Sequence, residues 1–486
     1  MEKNQEKVVK APKKGIRLWV FIVSIIATII VSVGLTMGII WTQLPKLISN
    51  QTQVHAFSKQ ELFQIEKVFY YLKQNYLDKN ITNEQLIQGA IKGMAESVGD
   101  PYTTYLVNDE TAQLDETVNG AFGGIGAELK SDQSRVVIST TMEGSPSQQV
   151  GLQSDDVITK VDGEDMTGKT ISEVVKKVRG EVGTDVVLTI ERAGTSLEVK
   201  LTRASIAINT VKAELDKEDA TIGHVRITSF AKNTAQELEK AVKDLTDKGA
   251  KAFVFDVRYN PGGLLDQAYK VANMFLKDGE PIVQVEDRFG EKKIYKASSD
   301  IGKFKITQPY VLLVNEGSAS ASEILAAALK EGAGAQIVGT KTYGKGTVQS
   351  VIDISDNSEL KYTNAKWLTP NGNWIHKEGV TPTKEVNLPD YAFLKIIDAR
   401  ETLKEGSVSQ NVLSVETILK GLGYSVTADG YFDSATQEAV KSYQQKEGLT
   451  ASGEVDEETA QKLMNNVRQL IQQNDTQYQA AKELLK

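Results

Sequence analysis

The sequence has no cysteine, and this absence excludes several kinds of chemistry together. Disulfide bonds, thiolate zinc sites, iron-sulfur clusters and cysteine nucleophiles all require that residue. Histidine is scarce as well, since His55, His224 and His376 are the only three, and none of them lies in a G-x-S-x-G or H-E-x-x-H motif. A nucleophile in this chain must therefore be oxygen or nitrogen, and a serine-histidine hydrolase has no signature here.

Positive charge is in short supply beyond the amino terminus. The chain carries a net charge of -8, and residues 1–17 contribute +4, which leaves -12 for the rest. The acidic region after residue 17 has no cluster of lysine and arginine that could bind phosphates and release counterions, so no nucleic-acid partner is expected. The 486 residues are 40% hydrophobic and 25% charged, which is typical of a globular protein with several domains.

One long stretch without charge lies near the amino terminus. Residues 18–41 hold 24 uncharged positions, and a helix of that length spans about 36 Å, enough to cross a membrane. Lysine and arginine cluster before this stretch, which predicts a cytoplasmic amino terminus. No small-residue cleavage pattern follows it, so an uncleaved signal anchor is favoured over a removed signal peptide. The sequence thus predicts a basic cytoplasmic tail (1–17), a single-pass membrane anchor (18–41) and an extracytoplasmic, wall-facing remainder.

The remainder divides into four regions by its hydrophobic pattern. Residues 57–106 predict two amphipathic helices followed by a turn and an extended stretch. Short alternating runs over residues 115–203 predict a small β-rich domain. Apolar strands alternate with helical periodicity over residues 204–398, which predicts an α/β domain with a largely parallel sheet. A weak repeat with a period of 23 residues over 406–470 predicts a small all-α domain.

The segment VNEGSASASEILAAALK places a strand end, a turn of small residues and a helix start in succession. Ser320 and Glu323 fit a capping box, and this local pattern alone favours a helix cap. A serine at such a turn is also a candidate nucleophile, because the first-turn amide of Ala321 is available to an oxyanion. In FDVRYNPGGLLDQA, a strand runs through Gly262 into a helix, and the amide of Gly262 is the candidate for the second oxyanion donor.

Lys345 is the candidate base for this serine. It lies between Gly344 and Gly346 in TKTYGKGTVQS, directly before a predicted strand. To accept a proton near neutrality its pKa must fall from about 10.4 to near 7, which costs the charged form about 4 to 5 kcal/mol and requires burial. Gln349 shares a strand face with Lys345 and can orient the amine without adding charge. The phosphate-loop alternative is rejected because Gly346 stands where that loop needs a hydroxyl.

These motifs together resemble the membrane-anchored carboxyl-terminal processing peptidases, which are serine proteases with a Ser-Lys dyad and an inserted PDZ domain. The resemblance covers about residues 60–390, and its most specific parts are GSASASEI, YGKGTVQ and RYNPGG. It implies Ser320 as nucleophile, Lys345 as base and Gln349 as third member, with Gly262 and Ala321 in the oxyanion hole. It also implies a multi-domain protein with crotonase/ClpP-like layering in the α/β core, a homodimer formed through the amino-terminal helices, and no metal or organic cofactor.

Two further segments resemble binding modules. FGGIGAEL stands where PDZ domains keep their carboxylate-binding loop, which implies that Gly124, Ile125 and Gly126 hold a substrate tail. Arg179 in VRGEVGTDV is the candidate for a latch between the PDZ domain and the active site. Residues 406–470 resemble a three-helix peptidoglycan-binding domain.

The sequence therefore predicts a cell-wall-associated serine endopeptidase that cleaves exported or membrane proteins near their free carboxyl termini. The alternative is a non-catalytic scaffold that tethers a partner through its PDZ and wall-binding modules. The intact set of Ser320, Lys345 and Gln349 argues against the scaffold, because tethering has no use for this combination.

Overall fold

The computed structural model describes residues 58–132, 135–398 and 400–486. The chain clusters into two compact units, Met1–Ile91 and Lys92–Lys486. The predicted cytoplasmic tail and membrane anchor, like His55, lie outside the described residues. Within the described ranges no helix combines the length and apolar character needed to cross a membrane.

The described part begins with two helices, as the sequence predicts. They are α1 (Lys59–Asn75) and α2 (Asn83–Glu96). Helix α1 starts at Ser58, whose hydroxyl accepts a hydrogen bond from the Glu61 amide while the Glu61 carboxylate accepts from the Ser58 amide. Helix α1 buries none of its residues, and it exposes large apolar side chains: Leu62, Phe63, Ile65, Val68, Tyr70, Tyr71 and Leu72. Homodimerisation through these helices stays a prediction.

Strand β1 (Thr104–Val107) and helix α3 (Asp109–Asn119) come next and lead into a β-rich domain. Its elements in chain order are β2 (Ala121–Gly124), β3 (Ala127–Asp132), β4 (Arg135–Thr141), α4 (Pro146–Gln149), β5 (Val157–Val161), β6 (Glu164–Asp165), α5 (Ile171–Val178), β7 (Asp185–Arg192), β8 (Thr195–Thr202) and β9 (Ala204–Ala207). Strands β3-β4-β5-β7-β8 form one antiparallel sheet with β6 paired to β5, and β2 pairs separately with β9. Its core includes Ile138, Leu188 and Ile190, all fully buried. Strand β3 lies at the sheet edge beside α5, which leaves that edge open for another strand.

The α/β core contains two sheets. Its elements are β10 (Val211–Leu215), β11 (Ile222–Ile227), α6 (Thr234–Asp247), β12 (Ala252–Asp256), α7 (Leu265–Asn273), β13 (Pro281–Asp287), β14 (Lys292–Lys296), β15 (Tyr310–Val314), α8 (Ala321–Gly332), β16 (Gln336–Gly339), β17 (Thr347–Ser355), β18 (Ser358–Leu368) and β19 (Lys384–Glu385). The main sheet has the order β10-β11-β12-β15-β16-β19 and is parallel except for the edge strand β10. This confirms the predicted largely parallel sheet.

The second core sheet is antiparallel and has the order β1-β18-β13-β14, with β17 paired to β18. Strand β1 comes from the segment before the β-rich domain, so that domain is inserted into the α/β core. Helix α8 lies buried along most of its length, from Ala321 to Leu329. Its many alanines permit that close packing. The ends of β12 and β15 thus bring the segments with Gly262 and Ser320 together.

A small helical domain follows the core. It contains a 3-10 turn (Asp390–Phe393) and helices α9 (Gln410–Gly421), α10 (Ser434–Glu447) and α11 (Glu457–Gln473). The 23-residue repeat appears as two equivalent helix starts. Asp433 accepts from the Thr436 amide at 2.7 Å, and Asp456 accepts from the Thr459 amide at 2.9 Å.

The last helix, α12 (Thr476–Leu484), belongs to the α/β core, which the sequence interpretation missed. Ala480 and Ala481 pack on one face of the main sheet against Val254, Val311 and Leu313. The Thr476 hydroxyl donates to the Asn387 carbonyl at 2.7 Å, so the chain leaves and re-enters the core at one place. The helical domain is therefore an insertion, and the predicted core end at residue 398 needs this correction.

Candidate active site

Ser320 occupies a sharp turn between strand β15 and helix α8. Its backbone has φ 55° and ψ -111°, a region that costs a non-glycine residue about 1 to 3 kcal/mol. The Glu323 amide donates to the Ser320 carbonyl at 2.9 Å and the Glu323 carboxylate accepts from the Ser320 amide at 2.8 Å, so the predicted capping box is present. Ser320 also lines the cavity described below, so capping does not exclude a role in chemistry.

Glu323 connects this turn to the segment that carries Lys345. Its fully buried carboxylate accepts from the amides of Ser320 (2.8 Å), Gly344 (2.6 Å) and Lys345 (2.8 Å). It also accepts from the Thr342 hydroxyl at 2.6 Å. Four donors therefore compensate the burial of one negative charge. The sequence marked Glu323 only as a local cap, because its partners about 20 residues away were not visible there.

Lys345 is half-buried beside this carboxylate. Burial lowers the pKa of its amine below the usual value, and the nearby charge of Lys361 lowers it further, whereas Asp100 and Glu323 act in the opposite direction. The Lys345 ammonium lies over the ring of Tyr102, 4.7 Å from its centroid. The direction of the pKa shift is the one that a lysine base requires.

A cavity of about 260 Å³ brings the predicted residues together. Ser320, Ala321, Lys345 and Gln349 all line it. Its apolar walls come from several elements and include Leu114, Val118, Ile324, Val351 and Trp367. An apolar wall with a few polar groups is typical of a ligand-binding pocket.

Gln349 is held by two threonines. Its amide nitrogen donates to the hydroxyls of Thr347 and Thr363, each at 3.0 Å. This arrangement fixes the orientation of the amide and leaves its oxygen as the group that can accept from an amine. Among the described residues, no hydrogen bond joins Lys345 Nζ to Gln349 or to the Ser320 hydroxyl.

The two predicted oxyanion donors differ in their surroundings. Ala321 opens helix α8, where the amide and the helix dipole favour negative charge. The Gly262 amide donates to Asn260 Oδ1 at 2.9 Å, so in this conformation it is occupied. Gly263, and not Gly262, lines the cavity. A Cβ on Gly262 (φ 101°) would lie 2.9 Å from both the Ala321 nitrogen and Ser320 Cβ, which explains the glycine.

The β-rich domain has a groove where the resemblance placed one. A cavity of about 70 Å³ between β3 and α5 is lined by Gly124, Ile125, Gly126, Val175 and Val178. Ile125 is buried, and the Gly126 carbonyl accepts from the Ser147 hydroxyl at 2.7 Å, which fixes the loop. The open edge of β3 beside this loop is the arrangement that pairs with an incoming peptide strand.

Arg179 joins this groove to the active-site wall. It follows helix α5, lies 4.0 Å above the Phe122 ring and donates to Glu116 at 2.7 Å. Glu116 belongs to α3, and Leu114 and Val118 of the same helix line the active-site cavity. One helix therefore touches both the residue predicted as a latch and the catalytic pocket.

The helical insertion keeps two of its aromatic side chains in its core and exposes others. Phe432 and Tyr443 are buried in its core, while Tyr431 is 49% exposed. The amides of Gly430 and Gly453, which are 23 residues apart, donate to the side chains of Glu416 and Gln444, both fully buried. These contacts stabilise the domain, and Tyr431 and Phe393 (53% exposed) are aromatic side chains that remain accessible to a ligand. In the described ranges, no group of three or more acidic, histidine or cysteine side chains is arranged to hold a metal ion.

Comparison with known proteins gives four family matches along the chain. Peptidase family S41 matches residues 221–386, a PDZ domain matches residues 137–192, and a putative peptidoglycan binding domain matches residues 408–463. Residues 33–111 match the N-terminal domain of the activating protease CtpB.

The full-length relatives agree with these matches. The carboxy-terminal processing protease CtpA of Bacillus subtilis (strain 168) is 40% identical over 423 residues, covering 87% of this chain and 90% of that protein. A probable CtpA-like serine protease of Staphylococcus aureus (strain MRSA252) is 36% identical over 462 residues, covering 95% and 91%. Among solved structures, the photosystem II D1 C-terminal processing protease is 32% identical with a TM-score of 0.39, covering 67% of this chain and 86% of that one.

Proposed function

The chain belongs to the carboxy-terminal processing serine proteases of peptidase family S41, and we propose that it is an extracytoplasmic endopeptidase with a Ser320-Lys345 dyad. Its substrates are exported or membrane proteins, which it cleaves near their free carboxyl termini. The observation that carries the proposal is the shared cavity of Ser320, Ala321, Lys345 and Gln349, in which burial lowers the pKa of the lysine.

The geometry supports an acyl-enzyme mechanism. Neutral Lys345 takes the proton of the Ser320 hydroxyl as its oxygen attacks the peptide carbonyl, and the protonated amine then gives that proton to the leaving nitrogen. Water then attacks the acyl-enzyme while Lys345 takes its proton, and the Ser320 oxygen leaves as it takes that proton back from the amine. The Ala321 amide and one amide of the Gly262–Gly263 pair hold the oxyanion, and Gly262 can serve only if its bond to Asn260 opens. The Lys345 amine must leave the Tyr102 ring to reach Ser320, and Gln349 orients it there.

Recognition of the substrate tail is proposed for the loop of Gly124, Ile125 and Gly126. Its amides bind the terminal carboxylate, and the edge of β3 pairs with the peptide backbone. Arg179 transmits occupancy of the groove through Glu116 to helix α3 and so to the wall of the catalytic cavity.

An internally quenched peptide with a free apolar carboxyl terminus tests this recognition. The full-length chain should cleave it with a kcat/KM about 10- to 100-fold higher than for the amidated peptide, because charge-assisted bonds worth about 1.5 to 3 kcal/mol are lost. Ser320→Ala is the inactive control. Arg179→Met should reduce the ratio of kcat/KM between the free-acid and the amidated peptide. Equal rates on both peptides with the unmodified chain would reject the role of the loop.

The helical insertion is proposed to retain the enzyme at the cell wall. The support is its match to a putative peptidoglycan binding domain and the exposed Tyr431 on a folded module of its own. With the predicted membrane anchor, we propose that the catalytic part lies between membrane and wall.

Excising the insertion separates wall binding from catalysis. Because Asn387 and Thr476 are in contact, residues 390–473 can be replaced by a short Gly-Ser linker without removing α12. This variant should cleave soluble peptides at the rate of the unmodified chain but co-sediment less with purified peptidoglycan. A chain ending at Asp398 is a poor substitute, because it also loses α12 and uncovers Val254, Val311 and Leu313. Equal sedimentation of the excised and unmodified chains would contradict wall binding.

A further inference from the structure

Arg258 is a buried cation directly before the loop that carries Gly262. It is 8% exposed and lies two residues beyond the end of strand β12. Its guanidinium donates to both oxygens of Asp256, at 3.0 and 2.7 Å, and to both oxygens of Asp475, at 2.9 and 2.7 Å. A fifth bond goes to Gln477 at 3.0 Å. The planar guanidinium is thus fixed in two in-plane directions.

The two carboxylates reach Arg258 from different parts of the chain. Asp256 is local and buried. Burial would raise its pKa, but the hydrogen bond with His224 and the charge of Arg258 hold that pKa well below its usual range, so the local pair stays ionised. Asp475 comes from the carboxyl-terminal end of the chain, where it caps helix α12 by accepting from the Tyr478 amide at 2.9 Å. Asp475 and Gln477 are therefore the members of this cluster that tie the last helix to the core, and Asp475 is the charged one.

The two residues that follow Arg258 are hydrogen-bonded to the turn that carries the nucleophile. The next residue, Tyr259, has φ 58° and donates from its amide to Asn315 Oδ1 at 2.8 Å. The Asn260 carbonyl then accepts from the Ala319 amide at 3.0 Å and the Ser322 hydroxyl at 2.9 Å, on either side of Ser320. The position of the Arg258 backbone thereby sets where the oxyanion loop meets the nucleophile turn.

We propose that Asp475 is a positioning residue of the catalytic site, acting through Arg258 on the loop that supplies the glycine oxyanion donor. The role goes beyond the proposed function while resting on the peptidase activity itself. Asp475 lies two residues after the end of helix α11, the last helix of the insertion. The residue that fixes the oxyanion loop is therefore joined by one intervening residue, Asn474, to the module proposed to bind the wall.

Asp475→Asn in the full-length chain tests this role. Asparagine keeps a capping oxygen for helix α12 but replaces one of the two oxygens that bind Arg258 by a donor. The kcat on the quenched free-acid peptide should fall about tenfold, since a small misplacement of the catalytic groups has effects of this size, while KM stays unchanged. Asp475→Glu, which keeps the charge, should recover part of the lost kcat.

Lys482→Gln is the matched control. Lys482 anchors the other end of α12, with contacts to Glu218 at 2.8 Å and Asp216 at 3.4 Å, and it does not touch Arg258. Its loss should lower the unfolding temperature about as much as Asp475→Asn does but leave kcat unchanged. An unchanged kcat in Asp475→Asn, or an equal fall in both variants, would overturn the positioning role. Absence of turnover in the unmodified chain would refute the proposed peptidase and the positioning role with it.

Discussion

Replacing Lys345 by alanine should lower kcat on a free-acid peptide by about 10³-fold or more while the chain stays folded, because Ser320 then has no base. Lys345→Arg should be equally inactive, since a guanidinium stays protonated at every accessible pH. Circular dichroism and the unfolding temperature verify folding, and initial rates give kcat. Appreciable turnover in either variant would exclude the dyad.

Lys361→Gln is the matched control, because it removes a positive charge from the same cavity without touching the dyad. Burial and Lys361 both lower the pKa of Lys345, so activity should rise with pH through that pKa and fall below it as the amine protonates. Without Lys361 the pKa of Lys345 rises, and the acid limb of the rate profile should move to higher pH while the plateau is retained. An unmoved acid limb would mean that Lys345 is not the titrating group.

The local patterns of the sequence predicted the elements of the site well. The strand-turn-helix arrangement around Ser320 and the strand after Lys345 are set by nearest neighbours, namely apolar periodicity, small residues in the turn and glycines on both sides of the lysine. The common cavity of Ser320, Lys345 and Gln349 followed from the family resemblance, because nothing in the spacing alone brings positions 320 and 345 together.

The sequence was least informative where a contact joins distant positions. A capping box predicts that Glu323 binds the Ser320 amide, which it does, but not that the same carboxylate binds Gly344 and Lys345. Whether Gly262 or Gly263 supplies the oxyanion donor depends on the orientation of the Asn260 side chain, which the sequence alone does not predict. The packing of Ala480 and Ala481 on the sheet, which helps assign the last helix to the core, likewise joins positions far apart in the sequence.

The buried carboxylate of Glu323 should be nearly as important as the dyad. In Glu323→Gln one oxygen remains, while the new amide group donates toward backbone amides that also donate. At least one buried donor loses its partner, and each such loss costs about 1 to 3 kcal/mol. Ser320 and the Lys345 segment then lose their common anchor, so kcat should fall by about 10²-fold.

Glu331→Gln makes the same chemical change on the same helix and separates local geometry from general damage. In the part of the chain that the structure describes, the Glu331 carboxylate accepts one hydrogen bond, from the Asn371 amide at 2.8 Å. Its replacement should leave kcat unchanged and cost little stability, whereas Glu323→Gln should lower both kcat and the denaturant midpoint. Because Glu323 holds the nucleophile turn and not the substrate, KM for the free-acid peptide should change less than kcat. If Glu323→Gln kept full kcat at a temperature where it is folded, the two catalytic segments would be held together by packing, and the carboxylate would be a structural cap alone.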